Sequence, residues 1–238
     1  MFAGASFNLW NPDAGDPYAY AVTKVLRNHL TEKLRAQTRR SRSSYSGMEF
    51  PKGVLPLDVP RIAFRKITRP TDTRTCIACL IPPQASATEA CQIVVNVDGN
   101  PQTEAYLLGV LSSIPFDWGA RRWVELNFNF YLMNPLPVPT YSADSHLIQR
   151  VVQIAGRLAA VDERYADWAS EVGVAVGSVS TQPEKDDLIA ELDALVGLLY
   201  GLTEDQVEHL FATFHRGWKY EPRLKAVLQH YRMWKGKA

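Results

Sequence analysis

The sequence predicts an α+β fold: a small mixed β-sheet carrying packed helices, followed by a helical C-terminal part. Short β-branched and apolar runs bounded by turn residues fall between residues 61 and 97, a proline run occupies residues 135 to 139, and only helical periodicity follows. With 238 residues and 46% apolar side chains, the chain has material for a substantial core. The proline run sets the expected division, an α/β part over residues 1–139 and a helical bracing part over residues 140–238.

Asn11-Pro12-Asp13-Ala14-Gly15-Asp16-Pro17 is a cluster of turn formers, and a basic helix is expected over residues 20 to 40. Residues 41–47 and 51–56 read as loops. Residues 61–67 have strand composition, Thr68 to Thr75 connect, residues 76–81 form a second strand stopped by Pro82 and Pro83, and residues 92–97 form a third. Residues 103–111 place apolar side chains at helical spacing behind Thr103 as N-cap. Phe128, Phe130 and Leu132 alternate with Asn127, Asn129 and Tyr131 as in a strand, and the aromatics between residues 106 and 131 are expected in the core.

Beyond the prolines, helices are expected over residues 146–172, 184–200, 203–214 and 222–234, with Gly201 as a C-cap signal and Thr203-Glu204-Asp205-Gln206 as a capping box. Leu188, Leu192, Leu195, Val196 and Leu199 recur at helical spacing and should be buried, leaving Asp186, Asp187 and Glu191 for water or a partner.

Net charge is only +1, but charge is segregated along the chain. Residues 24 to 42 hold Lys24, Arg27, Lys33, Arg35, Arg39, Arg40 and Arg42 against Glu32, residues 61 to 74 repeat the bias, residues 162 to 208 are acidic, and a basic tail follows. One basic face and one acidic lobe are implied. No apolar run of about 18 residues exists, and the first residues lack a charged segment leading into an apolar one, so neither a membrane partner nor a secretion signal is expected and the location is expected to be cytoplasmic.

Cys76, Cys79 and Cys91 are an odd set, which argues against a disulfide framework. Cys76 and Cys79 form a CxxC, but on a strand residues three apart point to opposite faces, so the two thiols cannot converge on one metal. The sequence has no glycine-rich cofactor loop, no P-loop, no Asn/Asp-Pro-Pro-aromatic tetrad for a flipped base and no metal-nuclease carboxylate set. No catalytic residue, metal site or bound cofactor is therefore expected in this chain.

Four strings carry a family resemblance. Residues 61–83, read from Arg61-Ile62-Ala63-Phe64-Arg65-Lys66-Ile67 to Pro82-Pro83, resemble the "R-I-x-x-R-x-I-x-R-x-T-D-x-R-T-x-x-A-x-L-I-P" stretch in the C-terminal specificity region of type IIG restriction-modification enzymes and related DNA adenine-N6 methyltransferases. Residues 106–118, with Phe116-Asp117-Trp118, are similar to that family's "LLGxLNSxxFDW", residues 129–139 to its "NFFxLNxLPVP", and residues 191–203 to its "EIDALVxxLYGLT". Ser112-Ser113 stands for the family's Asn-Ser, and Lys66 where an acid is common.

The resemblance implies sequence-specific recognition of double-stranded DNA. It also implies methyltransferase and endonuclease domains placed upstream, in cis or in trans, which would use S-adenosylmethionine and Mg. The chain thus reads as an excised domain or a truncated frame. Two other classes stay open: a module that docks onto a methyltransferase or another phage-defence protein, and an enzyme whose site is not legible.

The DNA contacts expected on this reading are Arg61, Arg65, Lys66, Arg69 and Arg74 from the basic strand and turn, then Arg121 and Arg122, with Arg35, Arg39 and Arg40 on phosphates. Alternation should place Arg61 and Arg65 on one side of their strand. The competing role for any of these arginines is to pair with Asp72 or Asp117 and hold the turn.

Overall fold

The computed structural model describes residues 1–43, 45–48, 55–96 and 99–237. The expected loop over 51–56 and the end of the third expected strand, at 97, lie partly outside the described residues. β1 (Arg61–Arg65) is the central strand of a three-stranded sheet, between β2 (Ala78–Ile81) and β3 (Cys91–Ile93). Both pairings are antiparallel, with Ile62 opposite Leu80 and Phe64 opposite Gln92, so the sheet is not mixed as expected. The connections that join its strands are loops, and a loop without a crossover helix returns a chain antiparallel.

Alternation works as the sequence implies. Ile62, Phe64 and Cys76 enter the main core, whereas Ala63, Cys79, Ile81 and Cys91 face a second cluster closed by Phe7. The CxxC thiols thus belong to different clusters. All three cysteines are buried and free, and burial pushes the Cys79 and Cys91 thiols up to about 12. The sheet is covered on both faces, because the N-terminal segment lies over the side that β1 would otherwise show to solvent.

α1 (Thr23–Thr38) is shorter than expected and buries no residue. α2 (Pro101–Ser112) begins two residues before the expected N-cap: the Asn100 side chain accepts from the Gln102 N–H at 2.9 Å, and Pro101 fits the first turn. α3 (Ile114–Ala120) follows at once, capped by Ser113. The expected strand at 127–132 is a correction. Asn127 makes one bridge with Ile67, and the chain then turns into α4 (Phe130–Met133), because the Asn129 side chain accepts from the Leu132 N–H at 3.2 Å.

The single helix expected over 146–172 is two, α5 (His146–Ala159) and α6 (Ala166–Val172). Ala160 leaves helical geometry, and Asp162 caps a short 3₁₀ turn in the break. α7 (Gln182–Leu199), α8 (Glu204–Phe214) and α9 (Glu221–Lys235) match the expected helices closely. The capping box is formed: Thr203 N–H donates to Gln206 and Gln206 N–H to the Thr203 hydroxyl. Gly201 has φ +70°, and Gly201 and Leu202 N–H groups close on the Leu198 and Gly197 carbonyls, which is a Schellman ending.

The main core crosses the proline run, joining Tyr106, Leu108 and Phe128 to Ile148, Val151, Ile154, Leu192 and Leu195. The prolines are themselves pinned, since Tyr106 and Tyr200 hydroxyls donate to the Pro139 and Pro137 carbonyls at 2.8 and 2.7 Å. Composition changes at this run, but the core does not divide there. Leu188, Leu192, Leu195 and Val196 are buried and Leu199 half-buried, while Asp186 and Asp187 are exposed. Glu191 departs from expectation: it is buried, held by both Arg150 donors and the Trp234 indole, because α5 and α9 enclose α7.

Among the described residues, no helix is long and apolar enough to cross a membrane.

Candidate nucleic-acid interface

The expected basic surface divides into arginines that hold the fold and arginines that are free. Arg61 and Arg65 do share a side of β1, but that side is covered. Arg61 is 8% exposed and donates to the Ala85 carbonyl, and Arg65 donates to the Phe7 carbonyl. Desolvation lowers the pKa of both guanidinia, the cost of placing charge beside the second core cluster. Lys66 pairs with Glu89. These three are corrections: in this chain they are engaged, and two are not at the surface as a DNA contact requires.

Arg74 takes the competing role. Its Nε donates to Asp117 at 2.6 Å and its Nη2 to the Ser112 and Ser113 carbonyls at 2.8 and 3.1 Å. Asp117 is fully buried and also accepts the Thr75 and Cys76 N–H groups at 3.1 Å. Arg121 is likewise buried, lying 3.8 Å from the Phe214 ring and donating to the Phe214, Asp72 and Thr73 carbonyls. Arg74 and Arg121 therefore clamp the 68–75 turn onto α3, and neither is free for a ligand.

This clamp brings together the two segments that the sequence separates. Residues 66–68 run beside residues 126–128: Phe128 N–H donates to the Lys66 carbonyl at 2.7 Å, and Thr68 N–H to the Leu126 carbonyl at 3.1 Å. Arg69 projects from one segment, exposed and without an ion pair among the described residues. Arg122 stands on the other, exposed, its guanidinium 4.0 Å from the Trp118 ring. Around them Ile67 is 62%, Trp123 68% and Tyr131 85% exposed. The aromatics expected in the core split accordingly, with Tyr106 buried but Trp123 and Tyr131 at the surface. The Arg121-Arg122-Trp123 triplet, basic residues beside an aromatic, is the sequence signal that marks them.

Arg35, Arg39 and Arg40 lie on or just beyond α1, exposed and without ion pairs among the described residues. α1 is held by the Arg27–Asp58 pair and by Leu30 and Leu34, which share a cleft with Arg61 and Ile93. This places α1 toward the Arg61 end of β1, while the arginine turn leaves from the Arg65 end, about 13 Å away along the strand. The two basic clusters are distinct surfaces.

The acidic lobe implied by the sequence is largely neutralised in space. α9 lies along α7 and reaches α8, so Arg223 pairs with the fully buried Asp193, His230 with Asp187 and Arg232 with Glu204, while Arg150 and Arg157 of α5 take Glu191 and Glu184. The basic tail meets the acidic stretch rather than standing apart from it. The unneutralised charge is that of α1 and of the arginine turn.

No protein-family model, no curated protein and no solved structure matches the chain.

Proposed function

We propose that the chain is a DNA target-recognition domain: it selects the sequence in duplex DNA for a restriction-modification enzyme of the adenine-N6 methyltransferase/endonuclease type, and does no chemistry itself. One observation supports this best. Two segments far apart in sequence are clamped together so that unpaired Arg69 and Arg122 stand beside exposed Ile67, Trp123 and Tyr131. Guanidinium groups read guanine edges or hold phosphates, and exposed aromatic rings stack on bases or wedge between base steps. The exposed cations of α1 would add phosphate contacts that hold the duplex without reading it. S-adenosylmethionine and Mg belong, on this reading, to catalytic domains in cis or in trans.

Fluorescence anisotropy with a labelled duplex tests the reading. Affinity should be weak and fall steeply between about 50 and 200 mM salt, since each neutralised phosphate releases counterions. Labelled S-adenosylmethionine, or Mg alone, should leave DNA unchanged in the presence of the pure chain. A second reading, docking onto a methyltransferase or another defence protein, is favoured by Tyr18, Tyr20, Val22 and Val25, which are all at least 67% exposed at the entry to α1. A flat salt response would favour it over DNA recognition.

A further inference from the structure

A cavity of about 280 Å³ lies between the 55–60 segment, the start of α2 and α6. Pro56, Pro60, Pro83 and Pro101 give it flat apolar walls, and Arg61 and Glu104 line it as well. Both charged side chains are more than nine-tenths buried, at 8% and 6% exposure, yet they form no ion pair with each other. Arg61 spends one Nη2 donor on the Ala85 carbonyl, and its Nε is buried with no partner. Glu104 accepts the Trp168 indole N–H at 2.9 Å and the Ile62 backbone N–H, which leaves lone pairs on its carboxyl group. A buried guanidinium N–H without an acceptor is costly, so these walls call for a ligand that supplies an acceptor to Arg61 and a donor to Glu104.

We propose that this cavity binds an uncharged lactam-bearing heterocycle of nucleobase size, its carbonyl on Arg61 and its ring N–H on Glu104. The volume suits a ligand somewhat smaller than a drug-sized molecule, and apolar walls with a few convergent polar groups are the usual make-up of such a site. The rim excludes phosphate: Asp167 and Glu171 are exposed there without cationic partners among the described residues. The site is independent of the DNA reading, because it adjoins the Arg61 end of β1 rather than the arginine turn.

Saturation-transfer NMR on the full chain, with uracil as probe, tests the proposal without altering any core residue. Uracil should bind saturably at millimolar concentration and shift the Trp168 indole N–H resonance. 1,3-Dimethyluracil, which keeps both carbonyls but lacks the N–H donors, should not bind, and uridine 5′-monophosphate should bind more weakly than uridine. Val59 lines the cavity but is 53% exposed, so Val59→Trp should narrow it with little change in melting temperature and weaken uracil at least about tenfold. Absence of saturable uracil binding would overturn the proposal, as would equal binding of the dimethylated probe, tighter binding of the monophosphate, or undiminished binding by the folded Val59→Trp chain.

Discussion

Asp117 shows how one buried carboxylate organises the arginine turn. It is fully buried, ion-paired to Arg74 and hydrogen-bonded to two backbone N–H groups at the entry to β2, from a position 43 residues away in sequence. Breaking a buried pair leaves the partner charge uncompensated, so Asp117→Asn should cost about 3–5 kcal/mol of stability in urea denaturation. The partner of Arg74 is not legible from local sequence, because periodicity reports faces and not which acid will arrive. Asp72 and Asp117 are both within the alternatives that the sequence leaves open, and the fold selects Asp117 because Ser112, Ser113 and Asp117 meet at the junction of α2 and α3.

Glu104 makes a prediction about pH. Burial raises its carboxyl to about 7, against a value near 4.3 for the unfolded chain. A raised acid pKa means that the folded state holds the proton more tightly than the unfolded state. Stability from this group is therefore greatest below about pH 4 and declines as pH rises through about 7. Thermal melts of Glu104→Gln should show a shallower decline over that window than the natural sequence, and equal slopes would contradict the assignment.

At the scale of elements, the sequence is most readable where backbone geometry is strict. β1 and β2 emerge with the expected faces, and α7 to α9 with nearly the expected ends, because alternation, helical spacing and the Thr203–Gln206 box are local signals. Gly201→Ala should cost about 1 kcal/mol by calorimetry, since the position needs φ +70° although a Cβ there would meet nothing within 4 Å. The misread stretch is residues 127–132, where alternation of apolar and polar residues resembles a strand. Asn129 instead caps a helical turn, and with β1 already flanked by β2 and β3 no sheet edge is offered to it beyond the Ile67 bridge. The start of α2 is displaced for a similar reason, as Asn100 and Pro101 out-compete Thr103 as the entry.

Across the whole molecule, the four strings behind the family resemblance build scaffold more than surface. Arg74 of the first binds Asp117 of the second, and Tyr106 of the second and Tyr200 of the fourth hold the proline run of the third. Such contacts tie distant parts of the chain into one frame. Recognition by this chain would then fall to residues that the frame displays: Arg69, Arg122, Trp123 and Tyr131, with the cations of α1 in support. Of the ten arginines and lysines named from sequence, the buried and paired ones could not be separated from the free ones without the fold, because β1 carries charges at Arg61 and Arg65 yet is covered on both faces.

The most direct test compares duplex-DNA binding of the chain with that of an Arg69→Ala/Arg122→Ala/Trp123→Ala variant, by anisotropy at about 50 mM salt, where phosphate contacts are strongest. These side chains are exposed and unpaired with acids, so melting temperature should be unchanged. DNA recognition through the arginine turn predicts at least about a tenfold loss of affinity. Affinity within about twofold of the natural chain, with the fold intact, would contradict it.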